Sequence, residues 1–231
     1  VVVQSITRNR GNKMKFTNLF RALSGHELLE RTYKQTGRVH DETRDMFENS
    51  FGCIMGKIPE CELTVIQRDK DINREIIEIR RRLFNYVSTS RNPNFSAALS
   101  LTSIIIDYER IGDYTKNIAQ LLSVLSGRPA NVSYNDKLMD MYELMLEIFT
   151  LTNSAFANED DKKAKEAVLA HEKVKKMHLD ILQSIDRDEN IGRQEALIYA
   201  LLLSFLRRIN GHLSNICTAA YRPFPKIGFA E

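Results

Sequence analysis

The sequence predicts an all-α protein built as two tandem three-helix bundles, six long antiparallel helices related by internal duplication. Three observations carry that prediction. Punctuation is sparse, with five prolines and ten glycines in 231 residues, a balance that suits long helices better than a turn-rich sheet protein. Apolar residues recur at three- and four-residue steps over six stretches. The third and sixth stretches also align without gaps. IIIDYERIGDYTKNIAQL (104–121) lies on LLSFLRRINGHLSNICTA (202–219) with Glu109 over Arg207, pairing Arg110 with Arg208, Ile111 with Ile209, Asn117 with Asn215 and Ile118 with Ile216.

Residues 1–25 read as a leader followed by a short amphipathic basic segment, MKFTNLFRALSG (14–25), with Met14 a candidate native start. The first helix spans His26 to Gly56. Its inward stripe is Leu28, Leu29, Thr32, Thr36, Val39, Thr43, Met46, Phe47, Ser50 and Ile54, and Gly56 and Pro59 stop it. The second spans Glu60 to Ser88, with Leu63, Ile66, Ile72, Ile76, Ile79, Leu83 and Tyr86 inward; Pro93 then biases Asn92 away from helix. The third spans Asn94 to Ser126 and meets a Gly127, Pro129 stop. These three form the first bundle, 26–127. The second bundle, 132–222, repeats the plan. Its helices run from Ser133 to Asn158, capped by Ser133 or Asn135, from Asp160 to Ile185, and from Gly192 to before Pro223, leaving a tail at 223–231. Placed end to end, the two bundles predict an elongated molecule.

Several function classes fall away. A net charge of +3 gives no case for nucleic acid on bulk charge. The densest apolar run, ALIYALLLSFL (196–206), is about half the length of a membrane span. VVVQSITRNRGNK lacks the order of a signal peptide. Cys53, Cys61 and Cys217 contain no CxxC, which reads as free thiols in a reducing compartment. No phosphate-binding glycine loop is present. No histidine stands three residues after a glutamate, and HEKVK (171–175) is not HExxH, so all five histidines read as structural. The basic run REIIEIRRRL (74–83) reads as a solvated helix face.

One constellation stands out. Glu109 and Asp113 are four apart and share a helix face, where like charges repel by a few tenths of a kcal/mol unless a cation intervenes. Asp69 and Asn73, in IQRDKDINREI (66–76), are also four apart. If the second and third helices pack antiparallel, the four side chains converge, and hard or borderline cations suit such an oxygen cluster. The competing reading is a salt-bridged polar face, since Arg110, Lys116, Lys70 and Arg74 lie close in sequence.

DYERIGDYTKNIA (107–119) resembles the third-helix signature of the PhoU family, and RDKDIN (68–73) its second-helix motif. The resemblance runs from about residue 26 to 220, and the tail YRPFPKIGF (221–229) is similar to tails of that family. It implies a non-enzymatic cytoplasmic regulator of phosphate uptake, peripheral at the inner face of the membrane through its partner. The implied partners are a phosphate transporter, ATP-driven Pst-type or sodium-phosphate type, and its sensor histidine kinase, with a homodimer left open. It also implies a divalent or iron-type metal (Fe, Mn, Mg or Zn) held by Asp69, Asn73, Glu109 and Asp113, with Asp107 and Asp71 as nearby acidic candidates and Arg110 as an ion-pair or packing residue. The second repeat departs from the signature. Arg207 and Gly211 replace its carboxylates, and Lys176 follows Glu172 at four residues, so one metal-capable and one metal-free bundle are expected. The alternative is a carboxylate-bridged, metal-dependent hydrolase or oxidoreductase on a helical bundle.

Overall fold

A computed structural model describes residues 27–229 except 60, 126 and 159. The reading of 1–25 as leader and amphipathic segment lies outside them. The described residues form six α-helices and a closing 3-10 turn, Phe224–Lys226. The helices are α1 (Glu27–Ile54), α2 (Glu62–Thr89), α3 (Phe95–Val124), α4 (Val132–Asn158), α5 (Asp161–Asp186) and α6 (Arg193–Ala219).

Local chemistry sets their ends. At the end of α1 the amides of Lys57 and Gly56 donate to the carbonyls of Gly52 and Cys53, at 2.8 and 3.0 Å. This Schellman closure needs the left-handed φ of +74° that Gly56 supplies. The tight return brings Cys53 and Cys61 together as a disulfide, Cα–Cα 6.0 Å, so the expectation of three free thiols fails there. Sequence spacing hid the contact because it joins two helix ends across a turn. Cys217 remains free and buried, its thiol pushed up to about 12 by burial. Asn94 caps α3 by accepting from the Ala97 amide at 3.0 Å, and Asp160 caps α5. Asn131, rather than Ser133 or Asn135, caps α4 by accepting from Tyr134 N. Asn135 instead accepts from the Tyr199 hydroxyl at 2.8 Å.

The inward stripe of α1 follows the sequence closely: of the ten residues read as inward, only Leu28 is exposed. Its threonines are buried because their hydroxyls return to the helix backbone, as from Thr36 to Thr32 O and Thr43 to Val39 O. At the start of α2 the stripe differs. Val65 and Asp69 are buried while Leu63 is exposed, so the inward positions are 65, 69, 72, 76, 79 and 83.

α2 packs on α1 and α3, and α5 packs on α4 and α6. The remaining four helices form the centre, with α1 against α4 and α3 against α6. Along α1–α4 the rings meet in antiparallel order: Tyr33 stacks on Phe156 with centroids 4.4 Å apart, His40 meets Phe149 at 5.6 Å, and Phe51 stacks on Tyr142 at 4.1 Å. One hydrophobic core therefore runs through both bundles. They lie side by side, α3 on α6 over the broader contact and α1 on α4 beside it, not end to end, because each bundle has an apolar face on its first and third helices that it cannot cover alone.

His40 is buried in this shared core. Its Nδ1 lies 3.0 Å from the Tyr108 hydroxyl. Burial, helped by the nearby Arg44 charge, lowers its pKa to about 4. The folded protein thus binds fewer protons here than the unfolded chain between about pH 6.5 and 4. This contribution to stability is complete above that window and is lost as pH falls through it, to a total on the order of 3 kcal/mol. His40→Gln, which cannot titrate, should flatten the fall in urea midpoint between pH 7 and 4. A wild-type slope in the variant would assign acid sensitivity to other groups.

Candidate functional site

The seam between α2 and α3 gathers the expected site. Asp69 occupies an inward position of α2 and is 5% exposed. Lys116, one turn beyond Asp113 on α3, reaches across the seam. Its Nζ donates to Asp69 Oδ2 at 2.7 Å and to Asp113 Oδ1 at 3.0 Å. Burial pulls the Lys116 pKa down, but the bonds and charges of Asp69 and Asp113 outweigh it and the net shift is upward. Asn73 Nδ2 donates weakly to the same Asp69 Oδ2 at 3.4 Å. Asp69 Oδ1 is buried without a partner, and a Cβ on Gly112 would come within 3.5 Å of it.

Glu109 does not join this group. Arg110 lies between the two acids of its own helix, 3.4 Å from Glu109 Oε2 and 3.4 Å from Asp113 Oδ2, and so relieves their repulsion. Of the four residues read as ligands, Asp69 and Asp113 converge, and they converge on an ammonium. Asn73 presents its amide nitrogen to Asp69, and Glu109 is turned to Arg110. Among the described residues no three His, Cys, Asp or Glu side chains are grouped to hold a metal ion. As arranged, the donor set does not fit a metal: a cation already stands at its centre, and ion binding would require Lys116 to leave. The competing salt-bridged reading, which counts Lys116 among the nearby cations, describes this arrangement; acidic spacing alone does not rank that ammonium above an ion.

The two other acidic candidates point elsewhere. Asp71 is exposed and pairs with Arg74 at 2.7 Å, on a cleft shared with Glu42, Asp45, Arg68 and Glu75. Asp107 is buried and crosses to the second bundle, accepting from His212 Nδ1 at 2.7 Å and from Asn215 Nδ2 at 3.0 Å. His212 and Asn215 are thus joints between bundles, a role that reading each repeat alone did not show.

The corresponding seam, α5–α6, is built differently. Its inward positions 167, 171, 174, 181 and 185 repeat the spacing of 65, 69, 72, 79 and 83. His171 therefore stands where Asp69 stands. It packs on Asn210, the counterpart of Gly112, with Nδ1 3.1 Å from Asn210 O and the Asn210 amide donating to His171 O at 3.2 Å. Burial holds His171 below the usual histidine range. Glu172 is exposed and taken by Lys175 at 3.0 Å, an ammonium as on the other seam.

The PhoU domain model matches residues 36–122 and 138–220, once on each bundle. A Thermotoga maritima protein named phosphate-specific transport system accessory protein PhoU homolog 1 is 28% identical over 160 residues, 66% of this chain and 68% of that protein. The phosphate-specific transport system accessory protein PhoU homolog of Pseudomonas putida is 30% identical over 95 residues, 41% of this chain and 37% of that protein. The crystal structure of the phosphate transport system regulatory protein PhoU from Streptococcus pneumoniae superposes with a TM-score of 0.74 at 17% identity, covering 88% of this chain and 96% of that one. PhoU from Pseudomonas aeruginosa gives 0.74 at 18% identity over 84% and 96%. At these identities the structural matches speak to the fold.

Removing the internal cation tests the seam. Lys116→Met leaves Asp69 buried without its partner and should cost about 1 to 3 kcal/mol in urea denaturation. Millimolar Mn²⁺ or Mg²⁺ should raise the Tm of the variant and leave that of the wild type unchanged. An equal rise in both would show that Lys116 does not hold the place of an ion.

Proposed function

The chain belongs to the PhoU family, and from that membership we propose that it is an accessory regulator of phosphate transport. It acts by docking on a phosphate transporter, ATP-driven or sodium-coupled, or on the transporter's sensor kinase. The observation that carries this reading is the match of the PhoU domain to both bundles, together with relatives named as phosphate-specific transport accessory proteins. No helix among the described residues is long and apolar enough to cross a membrane. Contact with the cytoplasmic face of a transporter is therefore proposed to run through a protein surface.

Two features favour docking over chemistry. The conspicuous carboxylates are engaged by Lys116 and Arg110, which leaves none poised as a general base in the seam. The free thiol is buried with its pKa pushed up to about 12, the reverse of an activated nucleophile. The metal ion that the acidic motif suggests is replaced in this proposal by Lys116, which keeps the α2–α3 face assembled without one.

A strain lacking this chain should express its phosphate-starvation genes in phosphate-replete medium, and the wild-type chain should restore repression. Normal repression without the chain would overturn the regulatory reading. A separate assay addresses the enzymatic alternative. Hydrolysis of p-nitrophenyl phosphate with added Mn²⁺ or Fe²⁺ should stay at background, whereas turnover abolished by Asp69→Asn would establish catalysis at the seam.

A further inference from the structure

The two seams carry opposite charge at corresponding places. Where α3 has Glu109 and Asp113, α6 has Arg207 and Gly211. Arg207, Arg208, Gly211 and Asn215 follow at helical spacing on one face of α6. With His178 of α5 and His212 they line an open cavity of about 490 Å³. No carboxylate lines it. Two acids that act on its lining residues are already committed: Glu172 is held by Lys175 at 3.0 Å, and Asp107 is held by His212 and Asn215. The Glu172 charge, though held by Lys175, still acts on Arg207 from a distance.

The cations are also held in position. Arg208 Nη1 donates to the Tyr114 hydroxyl at 3.2 Å, and its guanidinium lies 5.5 Å from the centre of that ring. Tyr114 in turn stacks on His212 at 5.8 Å. His212 is fixed through Nδ1 by Asp107, which leaves Nε2 as its free nitrogen. Gly211 opens the floor, for a Cβ there would meet nothing within 4 Å.

We propose that this cavity is a binding site for a tetrahedral oxyanion of the phosphate class, clasped by Arg207 and Arg208 with His178 and His212 on its walls. Guanidinium groups present N–H donors in a planar fork that matches two oxygens of such an anion. A neutral imidazole adds selectivity, since it accepts the proton that hydrogen phosphate carries and sulfate lacks. Burial and the charge of Arg207 hold His178 on the neutral side of its usual range, and both influences fit a site built around a missing negative charge. The second repeat has thus exchanged a carboxylate seam for an anion seam on the same scaffold. Inorganic phosphate as ligand would give a regulator of phosphate transport a direct reading of its signal, but the binding itself does not rest on the regulatory role.

Titration of the full chain with inorganic phosphate at fixed pH and ionic strength, followed by the imidazole NMR signals of His178 and His212, tests the site. Saturable shifts are expected, with sulfate binding more weakly. Arg207→Gln should weaken binding about tenfold. Gly211→Asp should do at least as much, by placing in the open floor the charge that Asp113 supplies in the first repeat. Lys116→Met, on the other seam, should bind as the wild type does. Shifts that rise linearly without saturating, or a folded Gly211→Asp chain with wild-type affinity, would overturn the proposal. Neither result would touch the regulatory reading, whose test is made in the strain lacking the chain.

Discussion

The rest of the molecule depends on how the two bundles are joined, along the broad contact of α3 on α6 and the antiparallel aromatic ladder of α1 on α4. Tyr33, His40 and Phe47 stand seven residues apart on α1, and they face Phe156, Phe149 and Tyr142, also seven apart on α4. Seven residues is two helical turns, so both sets return to the same face and meet rung by rung only if the helices run in opposite directions. Each ring pair adds about 0.5 to 1.5 kcal/mol beyond the area it buries. The ladder fixes the register of one repeat on the other. α3 and α6 press together over a broader contact on the adjoining side, where Asp107 reaches His212, and α2 and α5 stay outside, each forming one polar seam with its third helix.

That arrangement explains which parts of the molecule could be read from the chain. Helix existence, number and duplication were legible because long amphipathic periods and Gly-Pro stops are local signals, and residues such as Val39, Met46, Ile76 and Ile79 are buried as their periodicity requires. The side-by-side packing was encoded too, in the seven-residue recurrence of aromatic residues on the first and fourth helices, but that pattern becomes a signal only when the two repeats are compared with each other. The disulfide between Cys53 and Cys61 and the reach of Asp107 across the bundles had no local signature at all, since each joins atoms whose proximity is a product of the fold.

The candidate site was legible to about the same depth. The spacing of Glu109, Asp113, Asp69 and Asn73 identified a polar seam between two packed helices, and the structure puts all four near it. What spacing alone could not rank was the competition among cations. Lys116 is three residues from Asp113, within one turn, and its chain is long enough to bridge to Asp69. A tethered ammonium is present at high effective concentration and needs no loading, so it competes well with a dissolved ion for two carboxylates. Glu109 is lost to the site for a related reason, because Arg110 lies beside it and binds it locally.

The two seams then read as two answers to one packing problem. A polar position facing inward between an outer and a central helix must be neutralised or it destabilises the bundle. In the first repeat Asp69 is neutralised by Lys116. In the second, His171 removes the charge altogether by staying neutral against Asn210, and the seam no longer needs a cation. Ser214 stands at the Lys116 position, and Arg207 and Gly211 replace the two acids that hold Arg110 in the first repeat, so Arg208, the counterpart of Arg110, has no acid on its own helix face and lies along the cavity instead. The asymmetry between the repeats is therefore more than the decay of a motif. Losing the inner carboxylate removes the need for the lysine, losing the two outer carboxylates frees the arginine, and a duplicated scaffold is what allows one repeat to make those changes while the other keeps its ion-paired seam.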